Sequence, residues 1–291
     1  MVIDTHTHLN DPRFSADSDE VRACARQAGV NLLLVVGYDL PSSSSALALA
    51  LRYGDAATVG VHPHDAQTFE AAAVDRLREL ASAPQVVAIG ETGLDYHYGF
   101  SSRNSQCEAF RIHIRLAKQL NLPLVVHCRE AFDDLCSIMK EEEASAVGGV
   151  VHCFTGGVDD AHRVVEMGFY LGVSGVITFP KSDAIRDALA SVPAERLMLE
   201  TDCPYMAPQP VRGKRCEPAH IVYTARKLAE LRGVSVEEVL QLSDSNARKC
   251  FPRLQTLLAP PPHGGCLKPS ACTDAHSGNS SARVDKTANG G

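Results

Sequence analysis

The sequence predicts an α/β protein, a single (β/α)8 TIM barrel with a disordered C-terminal tail. Short β-branched runs alternate with helical patterns from the first residue to about residue 250, the pattern of parallel strands joined by crossover helices. Eight such units in roughly 250 residues match a closed barrel, although counting alone also allows an open doubly wound sheet. Metal-type side chains at the ends of successive strands, where barrel enzymes gather their chemistry, favour the barrel.

The expected strands cover 2–9, 31–38, 57–63, 86–95, 123–129, 148–154, 169–175 and 196–204. Helix boundaries can be read between them. Asp17 with Glu20 and Ser105 with Glu108 have capping-box spacing, and Gly29 and Gly168 stop helices. After Ser105, Phe110, Ile114 and Ala117 share one helical face, which should pack on the sheet. Pro218 opens the last barrel helix, Gly233 ends it, and Ser235 with Glu238 starts one more helix reaching about Cys250.

Residues 1–258 thus form the barrel. Residues 259–291 change to prolines, Gly, Ser, Thr and Asn without Ile, Phe or Met, a composition that cannot bury a core and is read as a disordered tail. The spacing of its Cys266, Cys272, His263 and His276 matches no metal-finger pattern.

Across 291 residues, 45% are hydrophobic and 22% charged, which excludes wholesale disorder. A net charge of −7 excludes a long basic groove for duplex DNA, so any nucleic-acid contact must be local. No apolar run approaches the roughly 18–20 residues that cross a bilayer, and no export or targeting signal is expected ahead of the first strand. The ten cysteines contain no CxxC pair, and with Cys24, Cys128, Cys136 and Cys153 in apolar periodic segments they read as buried free thiols in a reducing compartment. A cytoplasmic, monomeric protein without a membrane partner is expected.

Residues at i and i+2 of a strand face the same side, so Asp4-Thr5-His6-Thr7-His8 presents two imidazoles together. Later strands also end on metal-type ligands: His62, Glu91, His127, His152 and Asp202. Chance placement of so many polar groups at equivalent positions is improbable, because each would otherwise need a separate partner in the barrel mouth. Cys128, Cys153 and Cys203 each follow such a residue by one, so strand alternation should turn them toward the helices. This many imidazoles and carboxylates exceeds the ligand set of one zinc and suits two divalent ions bridged by Glu91. Those ions would leave the mouth at about +2 and draw in an anionic phosphoester.

These residues, with Gly60-Val61-His62-Pro63-His64, Gly90-Glu91-Thr92-Gly93-Leu94-Asp95-Tyr96, Val126-His127-Cys128-Arg129, Val151-His152-Cys153-Phe154 and Glu200-Thr201-Asp202-Cys203-Pro204-Tyr205, resemble the TatD-like metal-dependent hydrolases, amidohydrolase-type barrels. The resemblance covers about residues 1–252. It implies a TIM barrel, one metal on His6, His8, Glu91 and Asp202, and a second on Glu91, His127 and His152. It also implies deoxyribonuclease activity, commonly from a 3′ end, with magnesium or another divalent ion; the mixed ligands themselves suit zinc or manganese as well. The family's usual Arg-Asn-x-Pro reads here Arg215-Cys216-Glu217-Pro218, and cysteine lacks the amide donors and acceptor of asparagine.

Glu91 and Asp202 are the expected catalytic carboxylates, Asp202 orienting the attacking water and accepting its proton. His62, Arg129, Lys214 and Arg215 are assigned to substrate phosphates, the last two from the loop before Pro218. Tyr96, Tyr98, Phe179 and Tyr205 lie near strand ends, where rings can stack on unpaired bases. His97, His113, His162 and His220 lie off those positions and receive no catalytic role. The same two-metal site also polarises a carbonyl, so the alternative substrate is an ester or amide such as aminoacyl-tRNA.

Overall fold

The computed structural model describes residues 2–258. The tail assigned to 259–291, with its cysteines and histidines, lies outside the described residues. The eight strands are β1 (Val2–Thr7), β2 (Val30–Val36), β3 (Ala56–Val59), β4 (Val86–Asp95), β5 (Leu124–Arg129), β6 (Gly149–Val151), β7 (Tyr170–Val173) and β8 (Leu197–Leu199). They pair in parallel in chain order. Closure comes from the segment after β8: Thr7 bridges Cys203, His8 N donates to Cys203 O at 2.7 Å, and Asp202 N donates to His6 O at 2.9 Å.

The helices are α1 (Ser18–Gln27), α2 (Leu40–Tyr53), α3 (Ala71–Leu80), α4 (Arg103–Leu120), α5 (Phe132–Glu141), α6 (Val158–Glu166), α7 (Asp183–Ser191), α8 (Ile221–Arg232), α9 (Val236–Cys250) and α10 (Arg253–Leu257). Ser235 and Glu238 form the anticipated capping box, and Gly233 ends α8 in the left-handed region. Two caps differ from expectation. α4 starts a turn early because Ser102 Oγ, not Ser105, takes the capping role, accepting from Ser105 N at 3.1 Å. Asp17 precedes α1 but caps nothing, its carboxylate being drawn to Arg215 at 2.6 and 3.0 Å.

Strand alternation splits the core in two. Leu33 and Val35 join Phe110, Ile114 and Ala117 of α4 in the layer between barrel and helices. Leu32 and Leu34 face the lumen with Ile3, Val87, Val125, Val150 and Met198, and Phe251 and Leu254 pack beneath them. One Arg253 amino group fastens this floor, donating to Ala81, Ala83 and Val86 carbonyls. Nearby, Arg22 grips Asp55 through two bonds of 2.7 Å, both side chains almost wholly buried. Among the described residues no helix is long and apolar enough to cross a membrane.

Candidate metal centre

The polar residues predicted at strand ends converge at one rim. His6 lies on β1 with His8 just beyond it, Glu91 on β4, His127 on β5; His152 follows β6, His62 follows β3, and Asp202 stands in the closing segment after β8. The lumen below is filled by apolar side chains, so these groups are held in a desolvated ring: His6, His8, Glu91, His152 and Asp202 are all buried.

Glu91 is the hub. Its Oε2 faces His6 Nε2 at 3.5 Å and His8 Nε2 at 3.6 Å, while Oε1 faces His152 Nε2 at 2.8 Å, His127 Nδ1 at 3.2 Å and His62 Nε2 at 3.4 Å. Asp202 Oδ1 closes the first group, 3.5 Å from His8 Nε2 and 3.8 Å from His6 Nε2. Ligand atoms gather closely in three sets: His6, His8 and Glu91; His6, His152 and Asp202; and His62, Glu91 and His127. His62, assigned from sequence to substrate phosphate, therefore stands among the ligand atoms themselves.

Burial alone would raise the Glu91 carboxyl, but the imidazoles of His152, His62 and His127 hold it well below the ordinary range. Asp202 is likewise held down, against its burial, by His8, His6 and His152. Burial pushes His62 down to about 4 and lowers His6 as well, so these rings are neutral with a lone pair to offer. His6 Nε2 and His8 Nε2 approach to 3.2 Å over the same carboxylate oxygens. His8, His127 and His152 are instead raised, against their burial, by the carboxylates of Asp202, Asp95, Glu91 and Glu200, so the set joins ionised oxygens to histidine nitrogens, the ligand chemistry that divalent cations take.

Residues that the sequence reading left unassigned hold this set in place. Asp95 Oδ2 lies 3.1 Å from both His127 Nε2 and His64 Nε2, and its Oδ1 accepts from His97 N and Tyr98 N at 3.0 Å. Glu200 is fully buried, with Oε1 3.6 Å from His152 Nδ1 and accepting from Cys153 N at 2.5 Å. Asp4 accepts from Thr201 N and Oγ1 at 2.9 and 2.6 Å, tying β1 to the segment that carries Asp202. Two glycines allow the approach: a Cβ on Gly93, which pairs with His127 across β4 and β5, would strike the His127 carbonyl, and one on Gly172 would strike the Glu200 carboxylate. Acidic residues inside the quoted motifs were the available signal for Asp95 and Glu200.

Other predicted residues go elsewhere. The Arg215 guanidinium is taken by Asp17, by Glu217 and by the Arg13 carbonyl, and it packs over Phe14; Lys214 is exposed. Neither lines the mouth cavity, so the structure does not bring them to the phosphate position expected for them. Cys128 and Cys203 turn into the helix-side core as alternation requires. Cys153 does not: at a φ of 42° it breaks the alternation and sets its Sγ 3.1 Å from Ser174 Oγ, lining the mouth. Cys24, on α1, is exposed rather than buried. Cys216, at the family's asparagine position, is buried against the Thr201 carbonyl at 3.9 Å.

A cavity of about 410 Å³ opens over the centre, with Tyr38, His64, Tyr98, Phe100, Arg129 and Tyr205 on its walls. A second lobe of about 540 Å³ shares His127, Arg129, His152, Asp202 and Met206 with the first. A family profile described as TatD related DNase matches residues 3–252. The chain belongs to this family. It is 40% identical over 252 residues to the uncharacterized metal-dependent hydrolase YabD of Bacillus subtilis, covering 86% of this chain and 99% of that one. It is 37% identical over 256 residues to the 3′-5′ ssDNA/RNA exonuclease TatD of Escherichia coli, covering 86% and 98%. Among solved structures, the TatD homologue YJJV of Escherichia coli superposes with a TM-score of 0.82 at 32% identity, over 86% of this chain and 98% of that one. A TatD family hydrolase of Entamoeba histolytica superposes at 0.79 with 26% identity, over 86% and 97%. This chain is thus an enzyme, a TatD-family metal-dependent hydrolase.

Proposed function

We propose that this TatD-family hydrolase cleaves phosphodiester bonds of DNA, removing nucleotides from the 3′ end of single strands in the cytoplasm as a monomer. The observation that carries the reading is the division of Glu91, one carboxylate oxygen toward His6 and His8 and the other toward His127, His152 and His62, inside a cavity that also presents Arg129. The 3′-5′ ssDNA/RNA exonuclease of Escherichia coli supports the choice of substrate.

His6, His8, Glu91 and Asp202 would hold one divalent ion and Glu91, His127 and His152 the other, magnesium being the first choice and zinc or manganese the alternatives. Bound there, such ions supply an ionised water at neutral pH and positive charge for the oxygens of the reacting phosphate. Asp202, kept ionised by its histidine neighbours, orients the attacking water and takes its proton. Arg129 lines both lobes and, among the described residues, has no carboxylate within ion-pair distance, leaving its guanidinium for a phosphate of the strand. His62, whose Nε2 faces the same Glu91 oxygen as His127, also lines the cavity and contributes to the same phosphate. Asp95 and Glu200 act behind the centre, fixing the His127 and His152 rings.

The test is to reload the stripped protein with magnesium, manganese or zinc and supply single-stranded DNA labelled at either end, with aminoacyl-tRNA in parallel. Mononucleotides released from the 3′ end are the expected result. Free amino acid without nucleotide release would transfer the activity to the ester reading.

A further inference from the structure

Six large hydrophobic side chains among the described residues are exposed, and three of them, Tyr98, Phe100 and Tyr205, line the first lobe of the cavity over the centre. The rings anticipated from sequence separate on inspection of their partners. Tyr96 donates its hydroxyl to Asp134 at 2.6 Å under Arg103, Tyr205 donates to Asp11 at 3.4 Å under Arg13, and Phe179 lies under Arg212. Tyr98 and Phe100 differ: they are 51% and 65% exposed, and their rings are parallel within 3° at a centroid distance of 5.5 Å.

The pair is built rather than loose. His64 sets its ring edge-on against both, at 5.4 Å from Tyr98 and 4.8 Å from Phe100, and is itself held by Asp95. Asp95 also accepts from the Tyr98 backbone, so one carboxylate ties these rings to His127. Arg129 lies 4.8 Å from the Tyr98 ring centroid and lines the same cavity as the pair and the centre. Two parallel exposed rings beside a guanidinium that meets no carboxylate among the described residues match the parts of a nucleotide, a flat apolar base joined to an anionic phosphate.

We propose that Tyr98 and Phe100 form a stacking platform for one unpaired nucleobase adjacent to the reacting phosphate, with Arg129 holding the neighbouring phosphate. This deepens the nuclease reading and rests on it. Every base has a π-face, so the platform accepts any sequence, and bases stacked within a duplex are denied to it. It selects single strands and frayed ends.

The test uses magnesium-loaded protein and a 5′-fluorescein oligothymidylate with hydrolysis-resistant phosphorothioate linkages, followed by anisotropy, beside the same strand carrying base-free residues at its 3′ end. The Tyr98→Ala/Phe100→Ala double variant should bind the normal strand roughly 5- to 100-fold more weakly than the unmutated protein. The two proteins should bind the base-free strand alike, and Tyr98→Phe, which keeps the ring, should bind normally. Equal affinity of both proteins for the normal strand, or an equal loss on both strands, overturns the platform. Cleavage of an unmodified strand by the unmutated protein is scored separately: its absence removes the nuclease reading whatever the binding shows.

Discussion

Asp95 lies 3.1 Å from Nε2 of His127, while Nδ1 of the same ring faces Glu91 at 3.2 Å. Both nitrogens are thereby committed. With an ion bound at Glu91, the proton would sit on Nε2, where Asp95 accepts it, and the Nδ1 lone pair would face the ion.

Asp95→Ala removes that commitment without touching the centre directly. Divalent-ion affinity measured by calorimetry, or turnover, should fall about 10- to 100-fold while circular dichroism stays unchanged. Unchanged ion affinity together with unchanged turnover would reduce Asp95 to a loop-ordering residue for His97 and Tyr98.

Glu91→Ala should abolish hydrolysis and lower metal content at both ligand sets, because its two oxygens serve both. Asp202→Ala should also abolish hydrolysis yet retain more metal, since Asp202 faces His6 and His8 but, unlike Glu91, stands in no ligand set with His127. Elemental analysis of the two proteins distinguishes them, and a fully active Asp202→Ala enzyme would rule out its role toward water.

Treatment with a chelator should stop turnover, and adding back a divalent ion should restore it. Persistent activity after the protein is shown to be metal-free would contradict the ligand assignment.

His113 provides a pH test away from the centre. Its Nδ1 donates to the Ala109 carbonyl at 2.7 Å, its Nε2 accepts from Val61 N at 3.0 Å, and burial pushes its pKa down to about 4. Below the ordinary value near 6.5 the unfolded chain takes up a proton that the folded ring refuses, so stability is lost as pH falls from 6.5 toward 4, by at most about 3 kcal/mol. In His113→Gln, whose amide oxygen can still accept from Val61, urea midpoints should fall less steeply over that window. Parallel slopes for the two proteins would rule out this contribution.

Asp55→Ala strands the Arg22 guanidinium in the interior. A loss of about 3–5 kcal/mol in chemical denaturation is expected, with normal turnover per folded molecule.

The strands were legible because parallel strands covered on both faces read as uninterrupted apolar runs, as in Val86-Val87-Ala88-Ile89 and Leu124-Val125-Val126. The metal-type ligands could be read for the same reason, a polar residue standing out wherever such a run ends. Asp95 and Glu200 were harder, since their importance comes from register and closure that set them against rings on neighbouring strands. Arg215 misled because its partner Asp17 lies 198 positions away, so nothing local marked it as already engaged. The helix starts at Ser102 and Asp17 turned on a choice between competing hydrogen-bond partners, which spacing rules do not resolve.

Phe251 and Leu254 stopper the barrel from below, under a lumen packed from Ile3 to Met198. Among the described residues this leaves one doorway, which on the nuclease reading ions and polymer would share. A chelator would then reach the ions only while that doorway stood open, and an enzyme caught with a strand across it would keep its metals until the strand departed.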